Sequence, residues 1–174
     1  MFKIDKPGAT FDHLMRAVQF HHVQLSSMAD VKANMLLTMS SVVLTLCLPQ
    51  VLNHSHLWPL YILIIFCLLT ICLAAYAVMP KLPPAGLPAP NLQDPSFNIL
   101  FFGDFTRLSQ TQFESAMEEI MNDHSRAYGA QVREIYLLGS FLAKKKYRFL
   151  RLGYIAFISG LFASFIGFII EVLV

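Results

Sequence analysis

Charge is scarce in this 174-residue chain. Only 14% of its residues are Asp, Glu, Lys or Arg, against 56% hydrophobic, a balance unlike that of an ordinary soluble domain. Three stretches go further: 35–52 and 58–79 hold no charged residue, and 152–174 holds only Glu171. At 18, 22 and 23 residues, each meets the roughly 20 needed to cross about 30 Å of hydrocarbon at about 1.5 Å per residue. The composition predicts an all-α membrane protein with three transmembrane helices. A single soluble core is disfavoured, because too little chain remains to wrap three such helices.

Other shortages narrow the chemistry. The N-terminus lacks the 7–15 residue apolar core of a signal peptide, so the first residues are expected to stay in the mature chain. The three cysteines, Cys47, Cys67 and Cys72, fall inside the apolar runs without metal-ligand spacing and read as structural. No Gly-rich phosphate loop is present, and no Ser or Cys stands beside a plausible base. His21-His22 and His54-x-His56 lack further ligands at metal spacing, while Glu118, Glu119 and Asp123 fit a solvated helix face. No catalytic residue, metal ligand or cofactor is therefore assigned, and an enzyme is not expected.

Basic residues are missing from one place in particular. Lys3, Lys6, Arg16 and Lys32 precede the first span, and the other nine Lys and Arg lie between the second and third. The connecting stretch 49–58 has none. By the positive-inside rule the N-terminus is cytoplasmic, while the hairpin around Asn53 and the C-terminus lie outside. Trp58, Tyr147 and Tyr154 stand near span ends, as interfacial aromatics do.

The chain thus divides into a cytoplasmic N-terminal helix (1–34), a first span (35–52), a second span (58–79), a cytoplasmic region (80–151) and a third span (152–174). Thr10 or Asp12 is the expected cap of the first helix, which runs unbroken into its span. Six of nine prolines fall in 80–96, predicting an extended connector. "FNILFFGDF" (97–105) is compatible with a short strand, a turn at the interface or, preferably, a wedge packed on cytoplasmic helices. Thr111 and Glu114 match a capping box. Met121, Tyr128, Ile135 and Leu142 recur every seven residues, with Met117 and Leu138 on the same face and His124 and Gln131 interrupting it. This is either a seam between subunits or a face packed on residues 10–34 of the same subunit. The helix is expected to continue into the third span, where Gly153, Gly160 and Gly167 offer close packing to the second span or to another copy.

The first helix carries the sharpest signal. Ser27, Asp30, Asn34, Thr38, Ser41 and Thr45 recur at steps of three or four, drawing a polar stripe from cytoplasm to mid-membrane. Charged and polar side chains are costly against lipid, so the stripe should face other helices or water. In a ring of subunits Asp30, Asn34, Thr38, Ser41 and Thr45 would line a pore, with Asp30 favouring cations and Leu44, Leu48 and Pro49 forming a constriction. Hydrogen bonding between packed helices accounts for the same pattern, as does an interfacial Asp30–Lys32 pair. Arg107, Arg126 and Arg133, with His21 and His22, are candidates for a phosphate site, or are solvated surface groups. Lys144, Lys145, Lys146, Arg148 and Arg151 read as a membrane anchor against anionic lipid headgroups, with a nucleotide polyanion as the other option.

Three blocks, taken in order, carry a resemblance: "ADVKANMLL" (29–37) entering a span, "FFGDF" (101–105) after a proline-rich connector, and "FLAKKKYRFLRLGY" (141–154) entering the last span. Together they make the chain similar to the transmembrane effector family of Pycsar antiphage systems. The resemblance implies a bacterial inner-membrane protein, activated during phage infection by a cyclic nucleotide or oligonucleotide from a partner nucleotide enzyme, that impairs the membrane. The Hailong system has a similar arrangement, with a channel controlled by an oligonucleotide. No separate cyclic nucleotide-binding domain is expected within these residues. Three spans cannot readily enclose an aqueous path, so a pore implies a homo-oligomer, for which a tetramer is the expectation. The alternative is a non-conducting anchor or receptor that recruits a cytoplasmic signalling partner.

Overall fold

The computed structural model describes residues 4, 8–53, 57–80, 91, 92, 94 and 97–173. Its regular elements are all helical: α1 (Ala9–Asn53), α2 (Trp58–Val78), α3 (Phe102–Phe105), α4 (Gln110–Met121), α5 (His124–Phe141), a π-turn (Leu142–Tyr147) and α6 (Arg148–Leu173). Three of these helical stretches are long and apolar enough to cross a membrane. The proline-rich connector and the tip of the first hairpin fall largely outside the described residues. The helices form two compact units. One holds residues 1–24 and 80–141, the other residues 25–79 and 142–174.

The membrane unit is a three-helix bundle. No glycine or proline interrupts α1 until Pro49, near its end. Pro59 opens α2, where its missing N–H costs nothing, and Pro80 follows Met79 at its close. Between α2 and α6 the close contacts fall at the three glycines. A Cβ added to Gly153 would meet the Leu73 side chain at 3.8 Å, one on Gly160 would meet Cβ of Phe66 at 2.4 Å, and one on Gly167 would meet Pro59 at 3.0 Å. The partners descend along α2 as the glycines ascend along α6, so the two helices are antiparallel. The partner left open by the sequence is thus the second span of the same chain.

On its other flank α6 runs parallel to α1. Leu36 of α1 reaches Gly153 of α6, and Tyr147 donates from its hydroxyl to the carbonyl of Leu25 at 3.0 Å. Ala29, Ala33 and Leu36 of α1 share a core with Cys67 and Ala74 of α2 and Leu150 and Phe157 of α6. These α1 positions alternate by four and three. Small residues there let the backbones come close, so that dispersion contacts replace the hydrophobic effect that lipid does not supply.

The other unit corrects several expectations. The first helix begins at Ala9 rather than after Thr10 or Asp12, because the Gly8 carbonyl already accepts from the N–H groups of Phe11 (2.9 Å) and Asp12 (3.3 Å). The capping box of α4 belongs to Ser109 and Gln112, not to Thr111 and Glu114. Asn122 and Asp123 then break the expected continuous helix. The Asp123 carboxylate accepts from the Ser125 N–H at 2.8 Å and restarts the chain as α5. Met121 is consequently 72% exposed, whereas Tyr128 is buried, so the heptad does not run through both helices as one seam.

The stretch 97–105 is a turn followed by the short α3, with Phe97 and Ile99 in a core beside Ala116. Asn98 and Asp104 hold it. Asp104 accepts from the Asn98 N–H (2.9 Å), and the Asn98 side chain accepts from the Leu100 N–H (3.1 Å). Phe101 and Phe102 stay exposed, so the anchoring residues of the wedge are Phe97 and Ile99.

Replacing Gly160 by Leu should destabilise the bundle by about 1–3 kcal/mol or more, because the new Cβ collides with Cβ of Phe66, which cannot swing away. Thermal unfolding in detergent measures this. Ile166→Leu, a volume-conserving change at a position of α6 that is 55% exposed, serves as the neutral control.

Candidate functional site

A helix packed on one side of its own subunit leaves the opposite side free. Along α1 the buried or half-buried positions follow a heptad through Ala29, Ala33, Leu36, Ser40 and Cys47. On the opposite side Asn34, Thr38, Ser41 and Thr45 are all exposed. Thr38, Ser41 and Thr45 line an open groove of about 470 Å³ with Leu37, Val42 and Leu46. The Thr38 hydroxyl donates to the carbonyl of Asn34, and that of Thr45 to Ser41, both at 2.9 Å. Those donors are satisfied within the helix and their acceptor lone pairs are left over. The Asn34 amide is the most polar group on this face. Leu44 belongs with the core of its own subunit, so of the three constriction candidates Leu48 and Pro49 are the exposed ones.

Asp30 leaves the stripe. Its two carboxylate oxygens accept from the Lys146 ammonium at 2.7 and 2.9 Å, and Ser26 accepts a third bond from the same nitrogen at 2.8 Å. The lysine is buried, with side-chain exposure of 11%, and Asp30 is half-exposed. All three ammonium donors thus have acceptors, which is what a lysine needs to sit away from water. Within the chain the partner of Asp30 is Lys146 rather than Lys32, and the carboxylate charge is balanced there. Lys146 lies in the π-turn, beside Lys145, whose ammonium stands 5.0 Å from the ring centroid of Tyr76 in α2. Two residues of the basic run therefore grip two different helices. Lys144, Arg148 and Arg151 are exposed.

The phosphate-site candidates lie in the other unit. Arg126 pairs with Glu119 and, at 3.5 Å, with Asp123. Arg133 donates to the carbonyl of Phe97 at 3.4 Å. His21 is exposed, whereas His22 is half-buried and would meet a Cβ placed on Gly139 at 3.2 Å. Arg107 is half-buried. Arg126 thus spends its charge on neighbouring carboxylates, and Arg133 is the exposed cation of the set with a neutral partner.

Bonds that the sequence did not suggest hold α5 parallel to residues 9–24. Tyr128 donates to Asp12 at 2.5 Å, and the Gln19 amide donates to Glu134 at 2.7 Å. Between them Gly8, Asp12, His124, Ala127, Tyr128 and Gln131 line an open cavity of about 390 Å³. The two residues that interrupted the heptad, His124 and Gln131, thus face a polar recess. Its hydrogen bond to Asp12, and then burial, push the Tyr128 phenol up. Burial pushes the Glu134 carboxyl above the usual carboxylate range, against the opposing effect of Gln19.

A family model described as the Pycsar effector protein domain matches residues 13–171, from the first turns of α1 almost to the end of α6. The chain belongs to the Pycsar effector family. No curated protein and no solved structure matches it. As a Pycsar effector it is a multi-pass membrane protein of antiphage defence, and the α1 stripe, the arginine and histidine candidates and the basic run all lie inside the matched region, which Gly8 and Asp12 of the recess precede.

In this Pycsar effector, Asp30→Asn and Lys146→Met should each destabilise the membrane unit, and the double variant should lose less than their sum. A coupling energy of about 0.5–3 kcal/mol is expected from the unfolding free energies of the cycle. Glu134 gives a pH signature of opposite sense to that of a salt-bridged carboxylate. Because the folded chain holds this proton to higher pH than the unfolded chain, the stabilisation is complete at acid pH and is lost as pH rises through the raised folded value. Glu134→Gln should flatten that slope and stabilise the protein at neutral pH, as read from denaturation midpoints at acid and neutral pH.

Proposed function

We propose that this Pycsar effector acts in the bacterial inner membrane as a homo-oligomeric channel controlled by a nucleotide signal. Copies arranged about an axis, four in the working arrangement, direct the exposed side of α1 inward, and the opened path depolarises the infected cell. The single observation that carries this reading is that Asn34, Thr38, Ser41 and Thr45 remain exposed while the opposite side of α1 is packed within its own subunit. An amide at the mouth of the span and three hydroxyls within it are better placed against water or a second copy than against acyl chains. Three spans cannot readily enclose an aqueous path, so a pore needs further subunits.

Charge selectivity at the mouth is weak in this arrangement, because Asp30 is balanced by Lys146. The positive-inside distribution sets the N-terminus in the cytoplasm and the C-terminus outside. The signal, a cyclic nucleotide or oligonucleotide made by a partner enzyme, acts on the cytoplasmic residues, where Arg133 and His21 stay exposed. It works through a difference in affinity between closed and open assemblies.

The test is ion flux in proteoliposomes, with and without candidate nucleotides. Replacing Asn34, Thr38 and Ser41 together by Leu should reduce flux to background while the oligomer persists on size-exclusion chromatography. Unchanged flux in that variant would remove the α1 stripe from the conducting path.

A further inference from the structure

The basic run 144–151 is not one patch. Lys145 is held over Tyr76, and Lys146 on Asp30 and Ser26. Lys144, Arg148 and Arg151 are exposed, and among the described residues their side chains have no hydrogen-bond or ion-pair partner. They fall at intervals of four and three. Continuing the same intervals along α6 gives Ile155, Ile158 and Phe162, which are 50%, 48% and 65% exposed. One exposed stripe therefore begins with three cations and becomes wholly apolar at the start of the third span.

We infer that this stripe is a binding site for an anionic phospholipid, with the headgroup phosphate forked between Arg148 and Arg151, Lys144 beside it, and an acyl chain lying along Ile155, Ile158 and Phe162. The order of polarity matches that of the lipid, an anion followed by hydrocarbon. Its length matches too. From Arg151 to Phe162 a helix rises about 16 Å, close to half of the roughly 30 Å hydrocarbon core. Two guanidinium groups one turn apart suit phosphate oxygens better than a point charge does. Lys145 and Lys146, committed to neighbouring helices, take no part. The site requires neither conductance nor assembly, so it stands or falls separately from the channel.

The experiment uses the full chain in nanodiscs of phosphatidylcholine doped with phosphatidylglycerol, with retained lipid identified by native mass spectrometry after release into detergent. The wild type should retain phosphatidylglycerol in preference to phosphatidylcholine. Arg148→Gln/Arg151→Gln, at exposed positions that leave the bundle intact, should lower that preference by about ten-fold or more. Arg148→Lys/Arg151→Lys should restore part of it, and Lys145→Gln should leave it unchanged. An undiminished preference in the Gln double variant overturns the proposal. So does displacement of the lipid by millimolar cyclic nucleotide or inorganic phosphate, which would make the cations a site for soluble phosphate.

Discussion

The close approach of α2 and α6 is the constraint on which the membrane unit depends. Within hydrocarbon there is no solvent-driven force to press apolar helices together, so packing must come from shape. Three glycines seven residues apart provide it: a Cβ on Gly160 would collide with Phe66 and one on Gly167 would crowd Trp58 and Pro59, while one on Gly153 would meet Leu73 in ordinary contact. This tight pair offers α1 a ready surface, and α1 meets it with Ala29, Ala33 and Leu36. Only one side of α1 is consumed. The hydroxyl-bearing side stays available because the contacts that seat α1 all lie on the other.

Much of this was legible in the sequence because the signals were periodic and local. The three spans followed from absent charge, the glycine repeat announced a close contact, and the α1 stripe showed in its spacing of three and four. Periodicity does not name partners, however. Asp30 could be placed on the stripe, but its acceptance from Lys146 depends on a chain separation of 116 residues, which no local pattern encodes. Consecutive lysines look alike in a sequence. Only the fold separates Lys146, buried on a carboxylate, from Lys144, which is exposed.

The residues outside the membrane unit were harder to read for a different reason. Turn chemistry there rests on short polar side chains that serve equally well as caps, surface groups or ligands. Ser109 and Gln112 outcompeted Thr111 and Glu114 as a cap, and Asp123 stopped a helix that no proline or glycine would have stopped. The heptad of Met121, Tyr128, Ile135 and Leu142 was real as a pattern but spanned that break. Tyr128 found its use within the subunit, on Asp12. His124 and Gln131, which looked like flaws in a seam, turned out to border a polar recess.

The π-turn at Leu142–Tyr147 carries the start of the basic run. Its wider winding accommodates an additional residue per turn, and the adjacent lysines within it reach Tyr76 on one neighbour and Asp30 on another. Chain length in this segment is therefore as consequential as chain identity. Removing one of its six residues changes the direction in which the lysines on the N-terminal side of the cut leave the helix, a disturbance that no side-chain replacement produces.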